Sequence, residues 1–146
     1  MKRITLALIA HDAKKEDMVD LMKAHKELVA QCALVATSNT GRLVRDRTKL
    51  CVTLLQSGAF GGDQQIGALV ANGQIDAVIF LRDPLTAHLQ EPDVSALLRV
   101  CDVHNVPLAT NLATAEAVLH LISEHPEELA GHRMAVQFLE EVAAKQ

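Results

Sequence analysis

The chain has 146 residues, a length that fits one domain of common size, and we predict a single domain over residues 1–146. Aromatic residues make up only 2% of the chain, with no Trp and no Tyr, which argues against a base-stacking surface. The net charge is −4 and the Lys and Arg residues are dispersed, so we expect no nucleic-acid partner and no membrane-surface partner.

The three cysteines, Cys32, Cys51 and Cys101, are odd in number and lie in apolar segments. This usage predicts reduced core side chains. We find no signal-peptide pattern before the first predicted strand and no apolar run long enough to cross a bilayer. The sequence therefore predicts a cytoplasmic protein.

Short apolar runs alternate with helical patterns along the chain. The predicted strands are residues 4–10, 33–36, 50–55, 75–81 and 106–109. The predicted helices are residues 13–31, a short basic segment with Arg42, Arg45 and Arg47, residues 63–72, about 92–105, 113–123, and a last helix from about 128 to 144. This alternation predicts an α/β fold with a five-stranded, mainly parallel sheet and helices on both faces.

Polar residues follow each predicted strand: His11-Asp12, residues 37–40, residues 57–63, Asp83 and Thr110-Asn111. In an open parallel sheet the carboxyl ends of the strands form a crevice where ligands bind. We therefore expect five loops to line one pocket.

The glycine-rich stretch from Ser57 to Gln65 joins the third strand to a helix and carries Asp63 on the first helical turn. Asp63 is either a helix cap or a catalytic carboxylate beside free backbone amides. Asp93 has the same two interpretations, and Asp83 before Pro84 is also a common turn residue. Together with Asp12 these carboxylates would raise one another's pKa in a shared pocket, as a general base requires.

A phosphate ester needs a cation, hydroxyls and backbone amides at a helix start. Residues of these kinds follow the first three strands: Lys15, Thr37, Asn39, Thr40, Gly41, Ser57 and Gly58. Thr37 and Thr40 are equally consistent with ordinary helix-start residues. His11 is interpreted either as a donor to an oxyanion or as a residue that ends a strand.

Several common site motifs are absent from the sequence. The seven histidines and three cysteines show no metal-ligand spacing, so we predict no metal. The phosphate-loop and dinucleotide-binding glycine patterns and the serine nucleophile elbow are also missing. A nucleotide is therefore not specifically indicated.

Six blocks of the sequence resemble methylglyoxal synthase. They are Ala10-His11-Asp12 with Lys15, Ala36-Thr37 with Thr40-Gly41, the stretch from Ser57-Gly58 through Gly61-Gly62-Asp63-Gln64-Gln65 to Gly67-Ala68, Asp83-Pro84-Leu85, Pro92-Asp93-Val94 with residues 96–99, and Pro107 with residues 109–115. The resemblance covers residues 3 to 118 and implies a three-layer α/β/α sandwich, usually a homohexamer. It also implies a carbon–oxygen lyase that converts dihydroxyacetone phosphate to methylglyoxal and inorganic phosphate through an enediolate, with no metal or organic cofactor.

The resemblance carries roles over to individual residues. Asp63 corresponds to the general base, and His11, Asp12 and Asp93 to residues around the reacting carbons. The phosphate-binding positions correspond to Lys15, Thr37, Asn39, Thr40, Ser57 and Gly58. Some members are inhibited cooperatively by phosphate, and Arg99 and Pro84 fall in regions linked to that regulation.

One departure concerns proton transfer. The family usually has a histidine three residues before the second aspartate, thought to move protons between substrate oxygens, and this chain has Gln90 there. Gln is neither an acid nor a base, although its amide donates a hydrogen bond. His88 lies two residues earlier and is the alternative if the loop shifts. We expect slower turnover or a different pH dependence.

A second departure concerns the phosphate positions, where Ser38 and Asn39 replace the commoner Gly and Thr.

Two other functions fit the sequence. The same fold serves as a non-catalytic module that senses a small phosphorylated metabolite, as in carbamoyl phosphate synthetase, but such a module need not keep Asp63. An unrelated doubly wound signalling domain with an acidic pocket would bind magnesium.

Overall fold

The computed structural model describes residues 3–88, 91–129 and 141–145. Its strands are β1 (Thr5–Ala10), β2 (Ala33–Ala36), β3 (Val52–Leu54), β4 (Ala77–Leu81) and β5 (Leu108–Ala109). They form one sheet in the order β3-β2-β1-β4-β5, and each neighbouring pair is parallel. The predicted five-stranded parallel sheet is confirmed.

The helices follow the strands in the predicted alternation. They are α1 (Lys15–Ala24), α2 (Lys26–Val29), α3 (Ser38–Thr48), α4 (Gly62–Ala71), α5 (Glu91–Val103) and α6 (Leu112–Glu124). Short 3-10 turns at Asp12–Lys14 and Gly58–Phe60 lead into α1 and α4.

The central strand β1 is buried on both faces and separates two hydrophobic clusters. Leu6 and Leu8 belong to one cluster, with side chains of α1, α3 and α6. Ala7 and Ile9, which point to the opposite face, belong to the other, with side chains of α4 and α5. Helices therefore cover both faces, which confirms the three-layer α/β/α arrangement.

Two predicted helices differ in detail. The segment expected as one helix over residues 13–31 is divided at His25, which has φ −115° and ψ 27°. The Nε2 atom of His25 lies 2.7 Å from Oε2 of Glu116 on α6, a contact that local periodicity does not reveal. Of the predicted last helix, residues 128–129 and 141–144 are helical, and residues 130–140 lie outside the described residues.

The cysteine prediction holds for two of the three positions. Cys32 and Cys101 are buried, whereas the prediction of a core position for Cys51 is wrong because its side chain is exposed. Cys51 immediately precedes β3, which is an edge strand and lacks a neighbour on one side.

Within the described residues, no helix is both long and apolar enough to cross a membrane.

Candidate active site

The glycine-rich stretch brings the chain tightly from β3 into α4. Gly61 has φ +93°, in the left-handed region that favours glycine. A Cβ on Gly62 would lie 2.0 Å from the backbone oxygen of Gln56, so only glycine fits there. These two residues place Asp63 on the first turn of α4, facing the carboxyl ends of the strands.

Asp63 does not act as a helix cap. The N-cap position of α4 is occupied by Gly61, and Asp63 lies inside the first turn. The Asp63 side chain is only 4% exposed, and its Oδ1 atom is buried without a hydrogen-bond partner among the described residues. Burial, and secondly the negative charge of Asp93, raises the pKa of Asp63 above its ordinary value. A buried, unpaired carboxylate with a raised pKa is suited to accept a proton.

The start of α3 faces the same space. Thr37 precedes this helix and is buried, but its side chain makes no capping hydrogen bond. The Thr37 hydroxyl instead donates to Oγ1 of Thr40 at 3.4 Å. The amides of Asn39 and Thr40, on the first turn, have no acceptor within the helix itself. This helix end therefore offers backbone amides and two hydroxyls to an anion.

Lys15 supplies the positive charge beside this helix end. Its Nζ atom donates to Oδ1 of Asp12 at 2.5 Å and to the backbone oxygen of Ala10 at 3.1 Å. The hydrogen bond and the charge of Lys15 lower the pKa of Asp12. Asp12 therefore stays ionised and orients the Lys15 ammonium.

His11 is held by the chain after β4. Its Nδ1 atom accepts a hydrogen bond from the backbone N–H of Asp83 at 2.9 Å. Its ring meets Phe80 edge to face, with centroids 5.1 Å apart, and stacks on His88, with centroids 3.7 Å apart. Because Nδ1 accepts, the proton of the neutral ring is on Nε2, which makes His11 a hydrogen-bond donor.

These side chains line one cavity of about 510 Å³. Ten of the predicted site residues are among its lining: His11, Asp12, Lys15, Thr37, Asn39, Thr40, Ser57, Gly58, Asp63 and His88. The cavity is shared by the loops after β1, β2, β3 and β4, so residues as far apart in the chain as His11 and His88 meet there.

Three predictions have a different outcome. Asp93 is not part of the cavity lining and accepts a hydrogen bond from Nε2 of Gln64 at 3.0 Å. Gln90 lies outside the described residues. The expectation of five loops around one pocket is wrong, because Thr110 and Asn111 line a second cavity of about 480 Å³ with Lys14 and Arg82.

Thr86 and Gln65 were not predicted to have a role at the site. Thr86 lines the cavity, as does Asp83, one of the four carboxylates expected to share a pocket. Gln65 accepts a hydrogen bond from the backbone N–H of Gln56 at 2.8 Å, which joins α4 to the end of the β3 loop. The two glutamines that follow Asp63 in the sequence could have indicated these contacts. Gln65 fixes the loop, and Gln64 contacts Asp93.

Among the described residues there is no group of three or more His, Cys, Asp or Glu side chains that could hold a metal ion.

Comparison with known proteins gives a consistent result. A family model described as "MGS-like domain" matches residues 17–110. The methylglyoxal synthase of Moorella thermoacetica is 58% identical over 130 residues, which cover 89% of this chain and 98% of that protein. The chain belongs to the methylglyoxal synthase family.

Other family members agree in sequence and in structure. The methylglyoxal synthase of Ralstonia nicotianae is 52% identical over 131 residues, covering 88% of this chain and 97% of that protein. The crystal structure of methylglyoxal synthase from Elizabethkingia anophelis NUHP1 superposes with a TM-score of 0.76 at 43% identity, covering 80% of this chain and 77% of that one. The similarity to the family thus extends over most of the chain and is seen in the fold as well as in the sequence.

Proposed function

We propose that Asp63 is the general base with which this methylglyoxal synthase converts dihydroxyacetone phosphate to methylglyoxal and inorganic phosphate. The observation that carries the proposal is the Asp63 carboxylate, buried and without a hydrogen bond on Oδ1 among the described residues, in the same cavity as the start of α3 and Lys15. The reaction needs these two features together: a base for a proton on carbon and an anchor for the phosphate.

Deprotonation of carbon is the difficult step. A proton on the hydroxymethyl carbon next to the ketone is only weakly acidic, so the base must be held close to it and must have a suitable pKa. Burial raises the pKa of Asp63 and makes its carboxylate a stronger base than one in water. The enediolate oxygen that forms then requires a donor, and Nε2–H of His11 is suited to this role.

The phosphate of the substrate binds at the start of α3 in this account. The first-turn amides, the hydroxyls of Thr37 and Thr40, and the Lys15 ammonium supply donors and positive charge. Ser57 and Gly58 line the same cavity, and Gly58 lies next to the Asp63 carboxylate.

The orientation of the phosphate decides the product. If the bond from carbon to the phosphate oxygen is perpendicular to the plane of the enediolate, its electrons overlap with the double bond and phosphate is eliminated. If that bond is held in the plane, elimination is suppressed and the intermediate is reprotonated. We assign to α3 and Lys15 the task of holding the perpendicular arrangement.

The wider biological context is also part of the proposal. Family resemblance supports a cytoplasmic homohexamer that uses no cofactor, with inorganic phosphate as a product and as an inhibitor. The mass of the particle tests the homohexamer, and activity without added metal tests the absence of a metal cofactor.

The decisive experiment is a product assay. We expect the purified chain to release methylglyoxal and phosphate in equal amounts from dihydroxyacetone phosphate, with no loss of rate in a chelator. Asp63→Asn keeps the size of the side chain but removes the base, and we expect kcat to fall by roughly 10²- to 10⁴-fold or more.

Asp20→Asn is the matched control, because Asp20 is exposed on α1 and its substitution makes the same change in charge. We expect it to leave the rate unchanged. An inactive wild-type chain that still binds phosphate would favour the non-catalytic sensor, and an active Asp63→Asn variant would remove Asp63 from its role.

A further inference from the structure

The elimination step requires a proton to move between two substrate oxygens, which follows from the proposed reaction. After the carbon proton leaves, the intermediate has a hydroxyl on the first carbon and a negatively charged oxygen on the second. To expel phosphate, the first O–H bond breaks and its electron pair forms the aldehyde C=O bond. The C=C pair moves one carbon along, and phosphate leaves with the electrons of its C–O bond. The second oxygen takes up a proton, so the organic product is the neutral enol of methylglyoxal.

The groups already assigned are poorly suited to carry this proton. Asp63 holds the proton taken from carbon. Asp12 is paired with Lys15, which lowers the pKa of its carboxyl. His11 accepts the Asp83 amide on Nδ1, so giving up its Nε2 proton would leave an imidazolate anion. Another group must accept a proton and return it.

His88 has the geometry for this task. Its ring is stacked on His11 with centroids 3.7 Å apart and an angle of 19° between the planes, and it lines the same cavity as Asp63. Its Nε2 atom lies 3.3 Å from the backbone oxygen of Asp83. A carbonyl oxygen only accepts, so Nε2 carries the proton of the neutral ring and Nδ1 keeps a lone pair. Within the described residues, that Nδ1 has no hydrogen-bond partner.

We propose that His88 takes the proton from the hydroxyl on the first carbon and returns it to the oxygen on the second carbon. Gln90 cannot carry a proton in this way, because an amide side chain is neither an acid nor a base near neutral pH. The stack with His11 places the carrier beside the residue that donates to the enediolate oxygen.

Two carboxylates, Asp12 and Asp83, line the cavity beside His88. The pKa of Asp12 is lowered mainly by Lys15 and that of Asp83 mainly by hydrogen bonds from Thr86 and Leu85, and a charged His88 makes a smaller contribution to each. His11 and Lys15 are the other basic groups that line the same cavity, and Lys15 is already paired with Asp12. A proton on His88 is therefore close to two negative charges.

The test is the His88→Gln variant, whose amide keeps the hydrogen bond to Asp83 but cannot carry a proton. Two rates are measured by NMR in deuterated water: phosphate release, and deuterium entry at the hydroxymethyl carbon of unreacted dihydroxyacetone phosphate. We expect release to fall by about 10²-fold or more with little change in KM, while deuterium entry continues. The ratio of exchange to release then rises by a similar factor.

His120→Gln is the matched control, because His120 is exposed on α6. We expect it to leave both rates unchanged. Thermal melting and the affinity for inorganic phosphate report whether the His88→Gln variant is folded. If it is not folded, His88→Asn provides the same test.

Two results would overturn the proposal: a release rate in His88→Gln within about 3-fold of wild type, or exchange and release that fall by the same factor. Failure of the underlying reaction is distinguishable, because then the wild-type chain itself forms no methylglyoxal. Failure of Asp63 as the base is distinguishable too, because then Asp63→Asn still exchanges the carbon proton.

Discussion

At the scale of the residue, Asp63 is unusual because a charged group is buried without compensation. A buried carboxylate normally costs stability unless donors surround it. The Oδ1 atom of Asp63 has no partner among the described residues, and the nearby negative charge of Asp93 adds to the cost. Gly58 keeps the space next to the carboxylate open, since a Cβ there would lie 3.6 Å from Oδ1. Substrate access and basicity therefore come from the same arrangement.

The raised pKa of Asp63 predicts an acidic limb in the pH profile of kcat/KM. The base must be ionised, so activity falls as the pH drops through the pKa of Asp63, above the ordinary value of about 3.9 for Asp. Asp93→Asn removes the smaller of the two causes and lowers that pKa. We expect the acidic limb to move to lower pH in this variant, whatever its effect on the maximal rate.

Asp102→Asn is the control for this shift, because Asp102 is exposed on the same helix, α5. It makes the same change in net charge away from the site and should leave the limb in place. A limb that stays in place in Asp93→Asn, or that moves to higher pH, would contradict the assignment of Asp63 as the titrating base.

At the scale of the element, α4 is positioned by backbone contacts that tolerate no side chain. A Cβ at Gly62 would lie 2.0 Å from the backbone oxygen of Gln56 and 2.9 Å from Cγ2 of Thr37. Gln65 closes the same junction through the amide of Gln56. The start of α4, the end of the β3 loop and the residue before α3 are thus packed as one unit, which sets the position of Asp63 relative to the phosphate-binding residues.

Gly62→Ala should therefore destabilise the fold by about 1–3 kcal/mol, the usual cost of overpacking, because a backbone oxygen cannot move aside cheaply. Gly67→Ala is the matched control on the same helix. A Cβ at Gly67 meets nothing within 4 Å, and alanine favours helix over glycine by up to about 1 kcal/mol. Urea unfolding of both variants tests this: equal effects would show that the contact with Gln56 does not restrict position 62.

At the scale of the whole molecule, the sequence predicts the sheet well because its strands are nearly continuous apolar runs. Residues 4–10 and 75–81 contain β1 and β4, which are buried and central, as such runs indicate. The cavity residues after β1, β2 and β3 could be predicted for the same reason, since strand ends meet at one edge of a parallel sheet.

Features that depend on long-range placement could not be predicted. Asp83 holds His11 across 72 residues of sequence. Thr110 and Asn111 face the second cavity because β5 is an edge strand beside β4, and is not adjacent to β1. Strand order, which local patterns do not contain, decides both results.

The proposed homohexamer predicts a particle of about six times the 15.8 kDa mass of the chain. Sedimentation equilibrium or light scattering measures this directly, and a monomer at the concentrations used for the activity assay would contradict it. Titration of inorganic phosphate in the same assay tests for inhibition, for which we expect a sigmoidal dependence.

The most direct test of Asp63 as the base is exchange of the carbon proton. Dihydroxyacetone phosphate is incubated at saturation with wild type or Asp63→Asn in deuterated water. Loss of the carbon proton is followed by NMR as the sum of deuterium entry at the hydroxymethyl carbon of unreacted substrate and methylglyoxal formed. The account predicts that the variant still binds inorganic phosphate but removes the carbon proton no faster than the uncatalysed rate. Loss of the carbon proton in Asp63→Asn at the wild-type rate would contradict it.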